Sequence, residues 1–273
     1  MRHFLKVWAE EICPSINGPI YLFLDFDGTI TPIQDHPDNV FLDDVVKGLI
    51  KDLADKSGVS VAIISGRELS DLEARVGIKN VVYAGNHGLE IKGPFGRRKL
   101  GEAMSAIKVI EEVKIVLDEA LAGTDKVYIE DKGLTLSVHF RMVEEKLQGK
   151  VEADFATAID PFLLSKKVRV TRGKKVLEVR PPIDWHKGKI VRYLLEREKK
   201  RGVKIIPIYI GDDVTDEDAF PEINAVSGYS IKIVSDSKVK SNAEYYLKNT
   251  DEVRVLLSEL YITQRLKGGD NNV

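Results

Sequence analysis

Short unbroken apolar runs alternate along the first part of the chain with stretches where apolar residues recur at helical spacing. Tyr21–Leu24, Val59–Ile64 and Val81–Ala84 are the apolar runs and predict strands buried on both faces. Between them, Asp43–Asp55 places Val46, Leu49, Ile50 and Leu53 on one helical face, and Leu69, Leu72 and Val76 do the same in the next segment. Residues 3–12 carry Phe4, Leu5, Trp8 and Ile12 at near-helical spacing and predict a short packing helix. Strand, helix, strand, helix, strand is the order of a parallel sheet with helices on its faces.

Beyond Pro94 the rhythm changes. Two long helical stretches, Glu102–Leu121 and Val143–Ala158, each precede a pair of alternating segments: Lys126–Glu130 with Leu134–Arg141, then Lys167–Thr171 with Lys175–Arg180. That order predicts an α+β unit with an antiparallel sheet. After Pro181-Pro182 the first rhythm returns, with a helix over Lys187–Lys200, strands over Val203–Ile210, Ser230–Val234 and Glu244–Leu247, and a helix over Asp251–Leu260. The expected fold class is therefore α/β: a Rossmann-like parallel-sheet core, residues 1–98 and 182–273, interrupted by an α+β cap, residues 99–181. The Gly268–Asn272 tail is expected to fray.

Composition narrows the function classes. A chain of 273 residues with 43% apolar and 31% charged residues has ample core, and its formal net charge of −2 offers no general attraction to nucleic acid or an anionic membrane. Cys13 is the only cysteine, which excludes an internal disulfide framework and a cysteine-based zinc cluster. No stretch reads as a signal peptide or a membrane span, and a cytoplasmic location is expected.

Candidate chemistry collects where strands end. Asp25 and Asp27 follow the first apolar run, and two carboxylates one residue apart on a straight strand would point to one side. They repel unless a proton or a hard cation such as Mg²⁺ lies between them. Ser65 follows the second run, Lys187 begins a helix, and Asp212, Asp213 and Asp216 follow the strand that ends near Ile210. Each has an ordinary alternative: a turn, an N-cap, a surface lysine, and a helix start favoured by the macrodipole.

Together these pieces resemble the haloacid dehalogenase superfamily of phosphohydrolases, with Asp-x-Asp-Gly-Thr at Asp25–Thr29, then Ser65, Lys187 and the late acidic group in order. The wording around them is similar to the trehalose-6-phosphate phosphatase family: Leu24–Ile33, Ile64-Ser65-Gly66-Arg67, Gly85–Glu90, Lys187-Gly188 and Gly211–Phe220. This resemblance implies a Mg²⁺-dependent phosphatase acting on a small-molecule sugar phosphate. Asp25 would be the nucleophile and Asp27 the acid and base. Ser65 and Lys187 would stabilise the phosphoryl group, and Asp25, Asp27, Asp212, Asp213 and Asp216 would form the metal site. It also implies substrate contacts from Gly66, Arg67, His87 and Glu90, and from Glu130, Lys132, Arg141, Lys174 and Glu178 in the cap. A trehalose-6-phosphate synthase is a partner the resemblance would accommodate. Alternative functions are a phosphatase of sucrose 6-phosphate or mannosyl-3-phosphoglycerate, and a non-catalytic sugar-phosphate sensor.

Overall fold

The structure is a computed structural model that describes residues 1–269. It divides into two compact units, Met1–Arg97 with Trp185–Val273, and Arg98–Asp184.

The first unit is built on a nine-stranded sheet in the order β1-β13-β12-β11-β2-β3-β4-β5-β6. The strands are β1 (Arg2–His3), β2 (Ile20–Asp25), β3 (Val59–Ile64), β4 (Val82–Gly85), β5 (Glu90–Gly93), β6 (Gly96–Lys99), β11 (Ile206–Gly211), β12 (Tyr229–Ile233) and β13 (Tyr245–Leu247). From β1 through β4 the neighbours run parallel, and β5 turns antiparallel on β4.

Side-chain alternation sends the central strands into two separate cores. Leu22, Leu24, Val61, Ile63, Ile208 and Ile210 join the helices Asp44–Ala54 and Leu69–Val76 on one face. Tyr21, Phe23, Ala62, Ile64 and Tyr209 join the helix Lys187–Lys200 and Phe220–Asn224 on the other. Burial on both faces explains why these strands read as continuous apolar runs.

Chain direction reverses around β2: β3 and β4 follow on one side, and β11, β12 and β13 on the other. Residues leaving the carboxyl ends of β2, β3 and β11 are therefore gathered at the crevice where α/β sheets hold ligands. The register is tight, with Asp25 opposite Ile64 and Leu24 opposite Ile210.

The second unit holds a four-stranded antiparallel sheet, β7-β8-β10-β9, made of Tyr128–Asp131, Leu136–His139, Val176–Arg180 and Arg169–Gly173. Its apolar face, Ile129, Leu136, Val138, Leu177, Val179 and Val170, packs on the helices Ile107–Leu121 and Glu145–Leu164. The other face is polar.

Several elements depart from the sequence expectation. Arg2–His3 adds a parallel edge pair to β13 ahead of a helical segment that widens to a π-helix over Trp8–Ile12. Strands β5 and β6 extend the sheet although Gly96–Lys99 is wholly exposed and charged, a composition typical of edge strands and silent in hydrophobic patterning. The second cap helix continues past Pro161 to Leu164, because proline supplies helical φ and forfeits only one hydrogen bond there. The terminal helix is Thr250–Gly269, and the Asp270–Asn272 part of the tail lies outside the described residues.

Phe23 is fully buried between Tyr21, stacked at 4.3 Å, and Tyr209 at 6.3 Å. Phe23→Ala is expected to cost about 3–5 kcal/mol, as for other buried phenylalanines, and to lower the urea midpoint accordingly. An unchanged midpoint would mean that this layer does not hold the sheet.

Candidate active site

Asp25 is the last residue of β2, and its odd position puts it on the same face as Tyr21 and Phe23. The helix Lys187–Lys200 covers that face and begins with the lysine. Lys187 Nζ donates to Asp25 Oδ1 at 2.6 Å and to Asp216 Oδ1 at 2.7 Å. Tyr209, also on this face, donates its hydroxyl to the same Asp216 oxygen at 2.6 Å, while the Asp213 N–H donates to Asp216 Oδ2 at 3.0 Å. Asp216 thus spends both oxygens on aiming the lysine.

The turn after β2 completes the group. Thr29 Oγ1 donates to Asp25 Oδ2 at 3.1 Å and lies 3.4 Å from Asp212 Oδ1. Gly28 has φ +85°, and a Cβ there would sit 2.3 Å from Asp212 Oδ2, so glycine is needed both for the turn and for the approach of Asp212.

One oxygen from each of Asp25, Asp212 and Asp216 lies within 4.8 Å of the other two. Three carboxylates against one ammonium leave an excess of negative charge in a buried place. Burial pushes the Asp25 carboxyl well above its usual range; Lys187 opposes that shift, and Asp216 and Asp212 add to it. Asp212 is pushed up to about 7, by burial first and by Asp216 second. For Lys187, burial favours the neutral amine, but Asp216 and Asp25 outweigh it and keep the ammonium charged. Hard oxygen donors with surplus negative charge fit a divalent cation, and the ion's charge would remove the repulsion that raises these carboxyls.

The carboxylates of Asp27 and Asp213, the other two residues of the expected metal site, make their own bonds within the protein. The strand ends at Asp25, and residues 26–31 fold into a turn in which Ile30 and Thr31 N–H groups donate to the Phe26 carbonyl. Asp27 is thereby carried to Arg67, whose Nε and Nη2 donate to its two oxygens at 2.8 and 2.7 Å. Asp213 is exposed and closes a reciprocal capping box with Asp216.

Ser65 leaves β3 beside Asp25 and is buried; its Oγ accepts the Arg67 N–H at 3.1 Å. The Gly66 backbone packs so closely on the His87 ring that a Cβ there would meet Nε2 at 2.7 Å. Asn86 and His87 hold left-handed φ values of 49° and 55°, fixed by Asn86 N–H on the Arg67 carbonyl and His87 N–H on the Ser65 carbonyl. Trp185 Nε1 donates to the Gly88 carbonyl at 2.9 Å, tying this loop to the segment that leads into Lys187. Glu90 is buried on β5 opposite Gly85.

In the second unit, register lines up Glu130, Ser137, Glu178 and Thr171 across the polar face. Glu130 accepts from His139 Nε2 at 2.8 Å, Lys132 lies 3.5 Å from Glu178, and Thr171 donates to Glu178 at 3.2 Å. Arg141 Nη2 donates to the Lys174 carbonyl at 3.2 Å. Sequence reasoning missed Tyr209 and Thr29 as site residues. Thr29 was visible as the last letter of Asp25–Thr29, whereas Tyr209 is one aromatic among apolar strand residues and carries no local signal.

An aspartate-bearing strand end, a buried lysine, a serine turn and a late acidic pair at one sheet crevice define a phosphohydrolase of the haloacid dehalogenase superfamily. Residues 23–251 match the family model described as trehalose-phosphatase. The chain is 33% identical over 278 residues to trehalose-phosphate phosphatase B of Arabidopsis thaliana, covering 97% of this chain and 72% of that protein. It is 34% identical to probable trehalose-phosphate phosphatase 3 of Oryza sativa subsp. japonica, over 93% of this chain and 72% of the relative. Among solved structures, the C-terminal domain of C. albicans trehalose-6-phosphate phosphatase superposes with a TM-score of 0.80 at 25% identity, covering 91% of this chain and 93% of that one. The chain belongs to the trehalose-phosphatase family, a family of enzymes. No helix among the described residues is long and apolar enough to cross a membrane.

Because Asp212 has a pKa raised to about 7, it favours the metal-free fold at low pH and loses that contribution as pH rises through its pKa. A divalent cation binds the ionised form, so its effect runs the other way. The rise in melting temperature on adding excess MgCl₂ is expected to be several-fold larger at about pH 8 than at about pH 5.5. An equal rise at both would refute a cation site containing Asp212.

Proposed function

We propose that this chain is a Mg²⁺-dependent phosphatase that hydrolyses trehalose 6-phosphate to trehalose and phosphate through an aspartyl-phosphate on Asp25. The observation that carries this reading is the buried Lys187 bridging Asp25 and Asp216 at 2.6 and 2.7 Å, at a strand end flanked by Ser65 and Asp212, in a chain matched by the trehalose-phosphatase model.

Asp25 Oδ attacks phosphorus while the bond from phosphorus to the sugar oxygen breaks; Asp27 enters this step protonated, on a lone pair that the Arg67 fork leaves open, and gives that oxygen the proton. A water molecule then attacks the same phosphorus, passes a proton to Asp27 and releases Asp25 as carboxylate. Lys187 and the Ser65–Gly66 turn offset charge on the equatorial phosphoryl oxygens, where phosphoryl transfer needs it. Asp25, Asp212 and the Asp27 backbone carbonyl would hold Mg²⁺, with Asp216 and Asp213 behind them. The ion would supply charge neutralisation at the phosphate.

The substrate part of the proposal rests on the family and on the polar row of the second unit. A sugar carries many hydroxyls and little charge away from its phosphate, so its recognition needs mixed donors and acceptors. Glu130, Lys132 and Glu178 offer both, with Arg141 and Lys174 at the hairpin end and His87 with Glu90 beside the phosphate turn. A synthase of trehalose 6-phosphate is the class of reaction that must supply this substrate.

Asp25→Asn is expected to lower kcat by about 10⁴-fold or more without changing the fold, and retained turnover would refute the covalent mechanism. Phosphate release across trehalose 6-phosphate, sucrose 6-phosphate, glucose 6-phosphate and mannosyl-3-phosphoglycerate tests the substrate. A preference for any but the first would overturn the assignment.

A further inference from the structure

Arg67 follows the Ser65-Gly66 turn, where a guanidinium is expected to grip phosphate. Its bonds say otherwise. Nε and Nη2 form a two-pronged fork on Asp27 at 2.8 and 2.7 Å, Nη2 also donates to the Pro37 carbonyl at 2.9 Å, and Nη1 donates to Asp71 Oδ2 at 2.9 Å. Four of the five guanidinium N–H groups are therefore spent within the protein. The side chain is 6% exposed, lies over the Phe26 ring at 5.5 Å, and is braced behind by Asp71, which Arg75 Nε holds at 2.8 Å.

Asp27 has no such bracing of its own. It sits in the turn after β2, its side chain is 38% exposed, and the fork from Arg67 is what fixes both of its oxygens. A parallel fork sets position and plane together, while each carboxylate oxygen keeps a second lone pair for another partner.

We propose that Arg67 is a positioning residue: it sets where the Asp27 carboxylate stands and acts on the reaction through the leaving oxygen, not on the phosphoryl group. This rests on the reading of Asp27 as the group that serves that oxygen. The two roles leave different marks. A sugar alkoxide is a poor leaving group and needs a proton as its bond to phosphorus breaks, whereas 4-nitrophenolate departs as a stable anion. Both esters carry the same phosphoryl group. A residue acting through Asp27 matters for the sugar ester and hardly for the aryl ester; a phosphate-binding residue matters equally for both.

The experiment compares kcat/KM, which reports the first phosphoryl transfer, for trehalose 6-phosphate and 4-nitrophenyl phosphate. Asp27→Asn calibrates it, with an expected loss of at least about 100-fold on the sugar ester and under about ten-fold on the aryl ester. If that variant shows no split, the reading of Asp27 fails, and the proposal for Arg67 falls with it. Given the split, Arg67→Ala and Arg67→Lys are each expected to lose about 10- to 100-fold on the sugar ester and less than about three-fold on the aryl ester. Lysine keeps the charge but not the fork, so it should not rescue. Adding Arg67→Lys to Asp27→Asn should cost the sugar ester nothing further. Asp71→Asn removes the brace but not the fork; a lower melting temperature with an unchanged ratio of the two activities is expected. Equal losses on both esters in the Arg67 variants, rescue by lysine, or a full additional loss in the double variant would overturn the proposal while leaving Asp27 in its role.

Discussion

Everything at the crevice depends on one buried ammonium. Lys187 is almost wholly removed from water, a position that costs several kcal/mol for an uncompensated charge and is held only because two carboxylates meet it at 2.6 and 2.7 Å. The pairing works in both directions. Without the lysine, Asp25 and Asp216 would be buried like charges, and without Asp216 the lysine would have Asp25 as its sole strong acceptor. Tyr209 and the Asp213 N–H fix Asp216, so the lysine points at Asp25 through a chain of hydrogen bonds rooted in the sheet. Chemistry that relies on position more than on reactive groups needs this kind of anchoring.

The sheet makes the arrangement possible through parity. Odd positions of β2 face the helix that starts at Lys187, and even positions face the opposite core. A one-residue slip of β2 would present Leu24's side of the strand to the lysine and bury Asp25 against the helices Asp44–Ala54 and Leu69–Val76. The register of β2 is pinned on both sides, by β3 and by β11, and the apolar residues that fill the two cores are what hold it. Core packing and catalytic geometry are thus the same constraint stated at two scales.

Much of this was legible in the sequence, because the informative residues stand at element ends. Strand β3 and the helix Lys187–Lys200 have the boundaries that hydrophobic spacing predicts, Leu69, Leu72 and Val76 are the buried residues of one helix, and the change of rhythm after Pro94 marks a unit with its own core. Asp25, Ser65, Lys187 and Asp212 could be singled out since each stands at or just after a strand end or opens a helix. What stayed hidden has physical causes. Strand β5 and the edge strand β6 carry no apolar alternation. Tyr209 acts through a hydroxyl that spacing cannot distinguish from any other core aromatic. The divergence of Asp27 from Asp25 follows from the turn at 26–31, where backbone hydrogen bonds to the Phe26 carbonyl override the two-residue period of a strand.

Under the proposed mechanism, that divergence separates two tasks that the bare motif merges. Asp25 lies among carboxylates and an ammonium, with an excess of negative charge that suits a cation and a phosphoryl group. Asp27, two residues on, shares the Arg67 guanidinium with Asp71, which Arg75 also holds, so its charge is met by guanidinium charge inside the protein and it stands outside that excess. A site for a phosphate ester has reason to keep these apart. Were both carboxylates in the metal cluster, the group that handles the leaving oxygen would be tied to the ion and drawn toward phosphorus. In the proposed mechanism, with Arg67 holding it, Asp27 would be available to an oxygen on the far side of the phosphorus from Asp25, which is where an in-line displacement puts the leaving group.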